Sequence, residues 1–477
     1  MSSLSALNSL LGSSAATDLS QILEAATGAS SPGIDVSSAV SASITAAEAP
    51  ETNWENEQTT LQNQTSALTS LQTDATNLDN DMQSLNSLTG PLAAATATSS
   101  NSSVVTASAA AGSAVGNNIV VVNSLASTAS FSSTAVASAT TDLPTGETIT
   151  ITPPTGGVAT FTTGSNGINT LTDLENAINT GGLGVTASII TDATGSRLAI
   201  VSNTPGSAGS FTAAATGGGT GGTFGFDAGS AGANSSITVN GIVIQSATNT
   251  VTGAISGVTL NLVGTDPGTD ISVSVAPNTA QASNAINQFV SDYNTLIGAI
   301  NAQYADTGSG QGVLSDDPTL ENLQNTLLQA LNYTASPASG STSTTVPNLS
   351  SLGITMNTDG TMSIDSATLS GALQNNFNDV RNFFQGSALN GFANSMDQQL
   401  TNFTSPANGA FTVDLQSIST ENTALETDIT NFQANVIAPL KTQLTTEYSN
   451  AEIALQQLPA EIKDVDAELG QNNSSNG

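Results

Sequence analysis

The sequence contains neither cysteine nor histidine, and four cations (Arg197, Arg381, Lys441 and Lys463) stand against 37 carboxylates. Each absence removes a class of chemistry. Without cysteine there is no disulfide framework, thiol nucleophile or thiolate-held zinc. Without histidine there is no Ser-His-Asp triad and no His-Glu-x-x-His metalloprotease. Neither lysine follows a glycine, so no phosphate-cradling P-loop can be written. A net charge of −33 makes nucleic acid an unsuitable partner, because phosphate affinity comes largely from clustered Lys and Arg. An anionic membrane surface would repel the chain for the same reason. No apolar run reaches the ~18 residues of a transmembrane helix, so membrane insertion is not expected. The N-terminus lacks the basic region and apolar core of a secretory signal. Yet the missing cysteine and the abundant Ser, Thr, Asn and Gly read as a protein living outside the cell, which implies export by another route.

What remains is enough to fold. The apolar residues make up 38% and 43 glycines are added to them, an ordinary globular balance for a 477-residue chain of about three domains. After a Ser/Ala/Leu-rich tail over 1–32, Val36, Val40, Ile44 and Ala47 recur at helical spacing up to Pro50. Leu61, Leu68, Leu71, Ala75, Leu78, Met82, Leu85 and Leu88 then form a heptad seam that stops at Gly90-Pro91. Beyond Pro91 the composition turns to Val, Ile and Thr in short alternating runs between turn residues, predicting strands at 118–122, 148–152, 185–190, 197–201, 237–244, 258–263 and 271–275. A short helix at 171–178, capped by Thr170 or Thr172, interrupts them, and the Gly/Ala/Ser/Thr tract 206–232 reads as a long flexible loop. Helical spacing returns at 285–300 and after Asp316-Asp317-Pro318. A hairpin is expected at 354–364, turning on Asn357-Thr358-Asp359-Gly360, with Asp365 capping the next helix.

The last segment is the most informative. Leu425, Ile429, Phe432, Val436, Leu440, Leu444, Tyr448, Leu455, Leu458, Ile462, Val465 and Leu469 follow one another at steps of three and four, with one seven-residue step from Tyr448 that Ala451 divides. They belong to a helix of roughly 80 Å, with Pro439 and Pro459 expected to kink it or divide it in three. So long a narrow stripe must pack on another helix, of this chain or of a neighbouring subunit. Helices at both ends and β structure between them suggest that the ends pair and the β region projects as an insertion.

The other motifs reduce to local structure. The Gly217–Gly222 stretch lacks the helix and lysine of a phosphate loop, and the loop at Asn357-Gly360 lacks ligands at both ends of a calcium site. Asp316-Asp317 is explained by helix capping rather than by paired-carboxylate catalysis. Trp54, the single tryptophan, is expected to anchor two helical segments where they meet. No catalytic residue, cofactor or metal site is expected.

Several blocks, in order, resemble the bacterial flagellar filament cap proteins, the flagellar hook-associated protein 2 family. They are Gly33-Ile34-Asp35-Val36-Ser37-Ser38-Ala39-Val40, Ile237-Thr238-Val239-Asn240-Gly241, Ile255-Ser256-Gly257-Val258-Thr259-Leu260, Phe289-Val290-Ser291-Asp292-Tyr293-Asn294, and Leu352-Gly353-Ile354 with Asp359-Gly360-Thr361-Met362-Ser363-Ile364-Asp365. The tail before Gly33 is longer than is usual in that family, and Gln, Thr and Asn replace most basic residues of its terminal coiled coil. The resemblance implies an α+β multidomain fold in which terminal helices form a coiled-coil stalk and helical domain around inserted β-rich domains. It divides the chain into an export tail (1–32), a stalk and part of the helical domain (33–90), β-rich outer domains (91–277), a helical domain with a hairpin (278–410), a C-terminal coiled-coil helix (411–470) and a disordered tail (471–477). Within the insert, an inner part is assigned to about 100–131 with 235–277 and an outer part to about 132–234. It further implies a ring oligomer, commonly a pentamer, at the filament tip. Flagellin, hook–filament junction proteins and an export chaperone would be its partners, and export would run through the flagellar type III channel. The residues expected to hold subunits together and seat in the filament are Leu61, Leu68, Leu71, Leu78, Leu425, Ile429, Phe432, Val436, Leu444, Tyr448, Leu455, Leu458, Ile462, Val465 and Leu469. A surface adhesin, or a flagellin or hook–filament junction protein, is the alternative.

Overall fold

The computed structural model describes residues 35–474 apart from 218–222, 307, 309 and 338–343, with the backbone alone given for 465–474. The tail expected over 1–32 lies outside the described residues. Asp35 opens the first helix, α1 (Val36–Ala47), by accepting from the Ser38 N–H at 3.1 Å. Pro50 opens the next helix rather than ending this one. It sits in the first turn of α2 (Ala49–Asn86), where a missing N–H costs nothing. The seam on α2 is buried, with Leu78, Met82 and Leu85 at 0% exposure, but Leu88 does not continue it: the helix ends at Asn86 and Leu88 is 66% exposed.

The chain then leaves for its β insertion. Strands β1 (Ala95–Ser99), β2 (Val105–Ala109) and β3 (Gly116–Ser124) belong to an inner sandwich. Strands β4 (Thr128–Ser132), β5 (Thr148–Thr152) and β6 (Ala159–Thr162), helix α3 (Leu171–Thr180), and strands β7 (Val185–Asp192), β8 (Gly195–Pro205) and β9 (Thr212–Thr216) build an outer unit. Its sheets run in the orders β4-β8-β7 and β6-β5-β9, and α3 lays Leu171, Leu174 and Ile178 into their shared core. Thr170 and Asp173 cap α3 reciprocally. The chain returns to the inner sandwich through β10 (Ser235–Val239), β11 (Ile242–Ser246), β12 (Thr250–Ile255), β13 (Val258–Leu262) and β14 (Ile271–Pro277). Here a five-stranded antiparallel sheet, β1-β14-β3-β10-β11, packs Val120, Ile237 and Val273 against Val105, Val251 and Leu260 of the sheet β12-β13-β2.

Two expectations are corrected in this insertion. The single strand at 237–244 is a hairpin: Asn240 (φ 49°) and Gly241 (φ 85°) both take positive φ, and β10 folds back on β11. Asn-Gly is the residue pair that such a turn selects. The tract 206–232 is not simply a loop, since β9 pairs with β5 and Phe211 and Phe224 are buried. Small Ala and Thr side chains suit a strand pressed against a neighbour, and composition alone does not separate that from a linker.

Helices α4 (Thr279–Tyr304) and α5 (Pro318–Ala330), the hairpin β15 (Ile354–Met356) with β16 (Met362–Ile364), and helices α6 (Ser366–Asn375), α7 (Phe377–Gln385) and α8 (Phe392–Thr404) close around α2. Asp317 caps α5 and Asp365 caps α6. Phe383, Phe384 and Phe392 form the aromatic centre of this core, with ring centroids 5.1–5.9 Å apart. Helix α9 (Ala410–Phe432), a π-helical turn at Gln433–Ile437 and helix α10 (Ala438–Ser474) follow without interruption. The fold is therefore mixed α and β, with N- and C-terminal helices flanking β-rich domains.

Candidate functional site

The chain ends meet along α1–α2 and α9–α10. Trp54 stands edge-on to Phe432 with ring centroids 5.4 Å apart. Gln433 donates to the Glu51 carboxylate, and the Ser43 and Tyr448 hydroxyls lie 3.3 Å apart. As the N-terminal residue number falls from 54 to 43, its partner rises from 432 to 448, so the helices run antiparallel. Between them Val40, Ile44 and Ala47 are buried against Ile437 and Leu444, with Val36, Phe432, Leu440 and Tyr448 half-buried around them. Burial of five such side chains, at about 1.5–3 kcal/mol for each large one, is what holds the ends together.

The expected interface residues separate into groups. Leu68, Leu71 and Leu78 lie in the core of the helical domain, where α4 and α8 cover them, so their seam is satisfied within the chain. Leu61 is also buried, on the same helix. Leu425 is buried and Ile429 half-buried on α9, while Phe432, Leu444 and Tyr448 belong to the terminal pair. Val436 faces outward and Ile437 takes the inward place. Further out, Leu455 is half-buried, and Ile453, Leu458 and Ile462 are 53%, 48% and 54% exposed. For Val465 and Leu469 the backbone alone is described.

Of the two outcomes expected at the prolines of the last helix, a kink or a division in three, the division does not occur. Pro439 has no N–H for the carbonyl four residues back, and the chain answers with a π turn in which the Ala438 N–H bonds to the Gln433 carbonyl. Pro459 lies inside α10 without interrupting it. Sequence reasoning missed Ile437 because a register change inside a helix leaves no periodic mark. Val40 and Ile44 showed helical spacing and pairing of the ends was expected, but the spacing does not say which residues of the last helix they meet.

What the arrangement presents is an apolar contact surface. Among the described residues no group of three or more Asp or Glu is placed to hold a metal ion, and no helix is long and apolar enough to cross a membrane. The one ion pair among them, Arg197–Asp227 at 3.3 Å, lies in the outer β unit, far along the chain from the paired ends.

The terminal helices thus close the chain on itself, with two β-rich units inserted between them and an apolar stripe continuing along α10. Residues 32–129 match the N-terminal profile of the flagellar hook-associated protein 2 family and residues 232–460 its C-terminal profile, more than half of the chain between them. The chain belongs to that family. It is 31% identical over 293 residues to the B-type flagellar hook-associated protein 2 of Pseudomonas aeruginosa, 56% of this chain and 60% of that one. It is 28% identical over 236 residues to flagellar hook-associated protein 2 of Salmonella typhimurium, 48% of this chain and 45% of that one. The matches thus span less than two thirds of these relatives' own length. Among solved structures, the D1-D2-D3 domains of the flagellar cap protein FliD from Escherichia coli share the fold, with a TM-score of 0.58 at 24% identity over 74% of this chain and 99% of that one.

Proposed function

We propose that this chain caps the flagellar filament. Copies assemble as a ring at the tip, seat their terminal helices in the filament end, promote folding and insertion of flagellin beneath them and prevent its loss. The observation that carries this reading is the antiparallel closure of the chain ends around Trp54, Phe432, Ile437 and Leu444, with the apolar stripe continuing to Ile462, in a member of this family. The residues that face the filament or a neighbouring subunit are then those left open on α10, Leu455, Leu458 and Ile462. A ring of five, contacts with hook–filament junction proteins, delivery by an export chaperone and passage through the flagellar type III channel to the extracellular tip belong to the same reading. The work is binding, and no step of it requires catalysis.

The test is deletion of the gene, with flagellin measured in cells and medium. Hooks without filaments and monomeric flagellin in the medium are expected. Normal filaments would overturn the reading, and normal filaments with lost surface binding would make the chain an adhesin.

A further inference from the structure

Charge is unevenly spread over this acidic chain. No Asp, Glu, Lys or Arg occurs between residues 82 and 141, and between 228 and 277 only Asp266 and Asp270 ionise. All eight strands of the inner sandwich, β1–β3 and β10–β14, are uncharged. The carboxylates instead crowd the helical segments on either side in sequence.

The same sandwich has an open edge. Among the described residues strand β11 pairs with β10 and with no other strand, in a register without a bulge. Ile242 and Val243 on it are 67% and 64% exposed. On the outward face Val243 lies across Thr238 from Val121, with Ile119 of the same strand as Val121 41% exposed. Proteins ordinarily blunt such an edge with lysine, proline or a bulge, because its free N–H and C=O groups template further pairing. None of these devices is present on β11.

We propose that this edge and outward face form the side-to-side contact between copies of this chain. The proposal rests on the ring reading above and names its surface. Salt screens charges beyond about 8 Å at physiological ionic strength, so what opposes association is the carboxylates at the contact itself. Two copies of a chain with net charge −33 that met through their helical surfaces would set carboxylate against carboxylate with almost no cations to intervene. Meeting through the inner sandwiches avoids this and covers exposed Ile and Val. A closed ring needs head-to-tail contacts, so the open edge of one copy meets a different, equally uncharged flank of the next.

The experiment is sedimentation velocity on the full chain at low and high salt. Val243→Glu, which places a carboxylate on an exposed position and leaves the core alone, is expected to weaken self-association by about tenfold or more. Val243→Thr should stay within about twofold of the parent, since it adds no charge. Ile190→Glu on β7, where Ile190 is 58% exposed, should associate like the parent, and all three should keep its circular dichroism. A Val243→Glu chain that associates as the parent does, or a parent that is monomeric under every condition, overturns the proposal. The two readings fail separately. Filaments lost on gene deletion with Val243→Glu associating normally would sink this contact alone. Normal filaments with association lost in Val243→Glu would sink the cap reading alone.

Discussion

Replacing Asp79 by Asn should stabilise the helical domain at neutral and alkaline pH. Asp79 lies on α2, only 7% exposed, and its Oδ1 has no hydrogen-bond donor. Its Oδ2 accepts from the Thr404 hydroxyl at 3.3 Å and the Gln83 amide at 3.4 Å. The group opposite is another carboxyl, Asp397 of α8. Burial first, and then Asp397, push the Asp79 carboxyl up to about 7. On the other side of α2, burial and Asp292 of α4 do the same to Asp81. A folded value raised above the unfolded 3.8 means that stability is fully present below about pH 4 and is lost as pH rises to about 7. The gap corresponds to at most ~4 kcal/mol for Asp79 at 1.36 kcal/mol per pH unit. Solvent screening at this partly buried site reduces that to ~2 kcal/mol.

Asn keeps an acceptor for Thr404 and Gln83 and offers an N–H to Asp397. The variant should therefore melt ~4–8 °C higher at pH 8, taking ~2–4 °C per kcal/mol for a unit of this size. The gain should vanish near pH 4. Thermal unfolding followed at 222 nm, variant against parent at pH 4, 6 and 8, reads both. A melting point at pH 8 equal to or below that of the parent, or a gain that persists undiminished at pH 4, refutes the reasoning.

Leu444→Asp puts a charge into the terminal pair where Leu444 is 6% exposed, at a cost of ~3–5 kcal/mol. Amides of α1 should lose hydrogen-exchange protection and capping should fail, while both β units melt as before. Because Trp54 is the only tryptophan, its fluorescence reports the joined ends. Phe432→Ala should shift its emission to the red, and an unchanged spectrum would mean that the Trp54–Phe432 contact does not form in solution. Thr170→Ala removes half of the reciprocal cap on α3 and should destabilise the outer β unit by ~1 kcal/mol, leaving the helical melting transition unmoved.

Much of this fold is legible because local chemistry dictates it. Asp317 before Pro318, Asp365 before a leucine-spaced run, and Thr170 with Asp173 each satisfy the free N–H groups of a helix start whatever surrounds them. The α2 seam is equally plain, yet its period does not say whether the partner is another helix of this chain or another subunit. Leu68, Leu71 and Leu78 find α4 and α8, whose sequences lie more than 190 residues away. The carboxyl pairs were invisible for the same reason. Asp79 is an ordinary surface residue in any window that excludes residue 397.

The terminal site shows where a periodic reading fails in detail. Counting steps of three and four from Leu425 places Val436 inward, because the count assumes one bond pattern throughout. Pro439 breaks that assumption at a fixed place, since the carbonyl four residues before it has no N–H to receive. One i-to-i+5 turn absorbs the defect and puts Ile437 inward in place of Val436, so the inward positions step by five, from Phe432 to Ile437. The three-residue step to Leu440 and the fours to Leu444 and Tyr448 then resume. The proline and the seam are each readable alone, and their combination sets which face of α10 meets α1 and which is left for a partner.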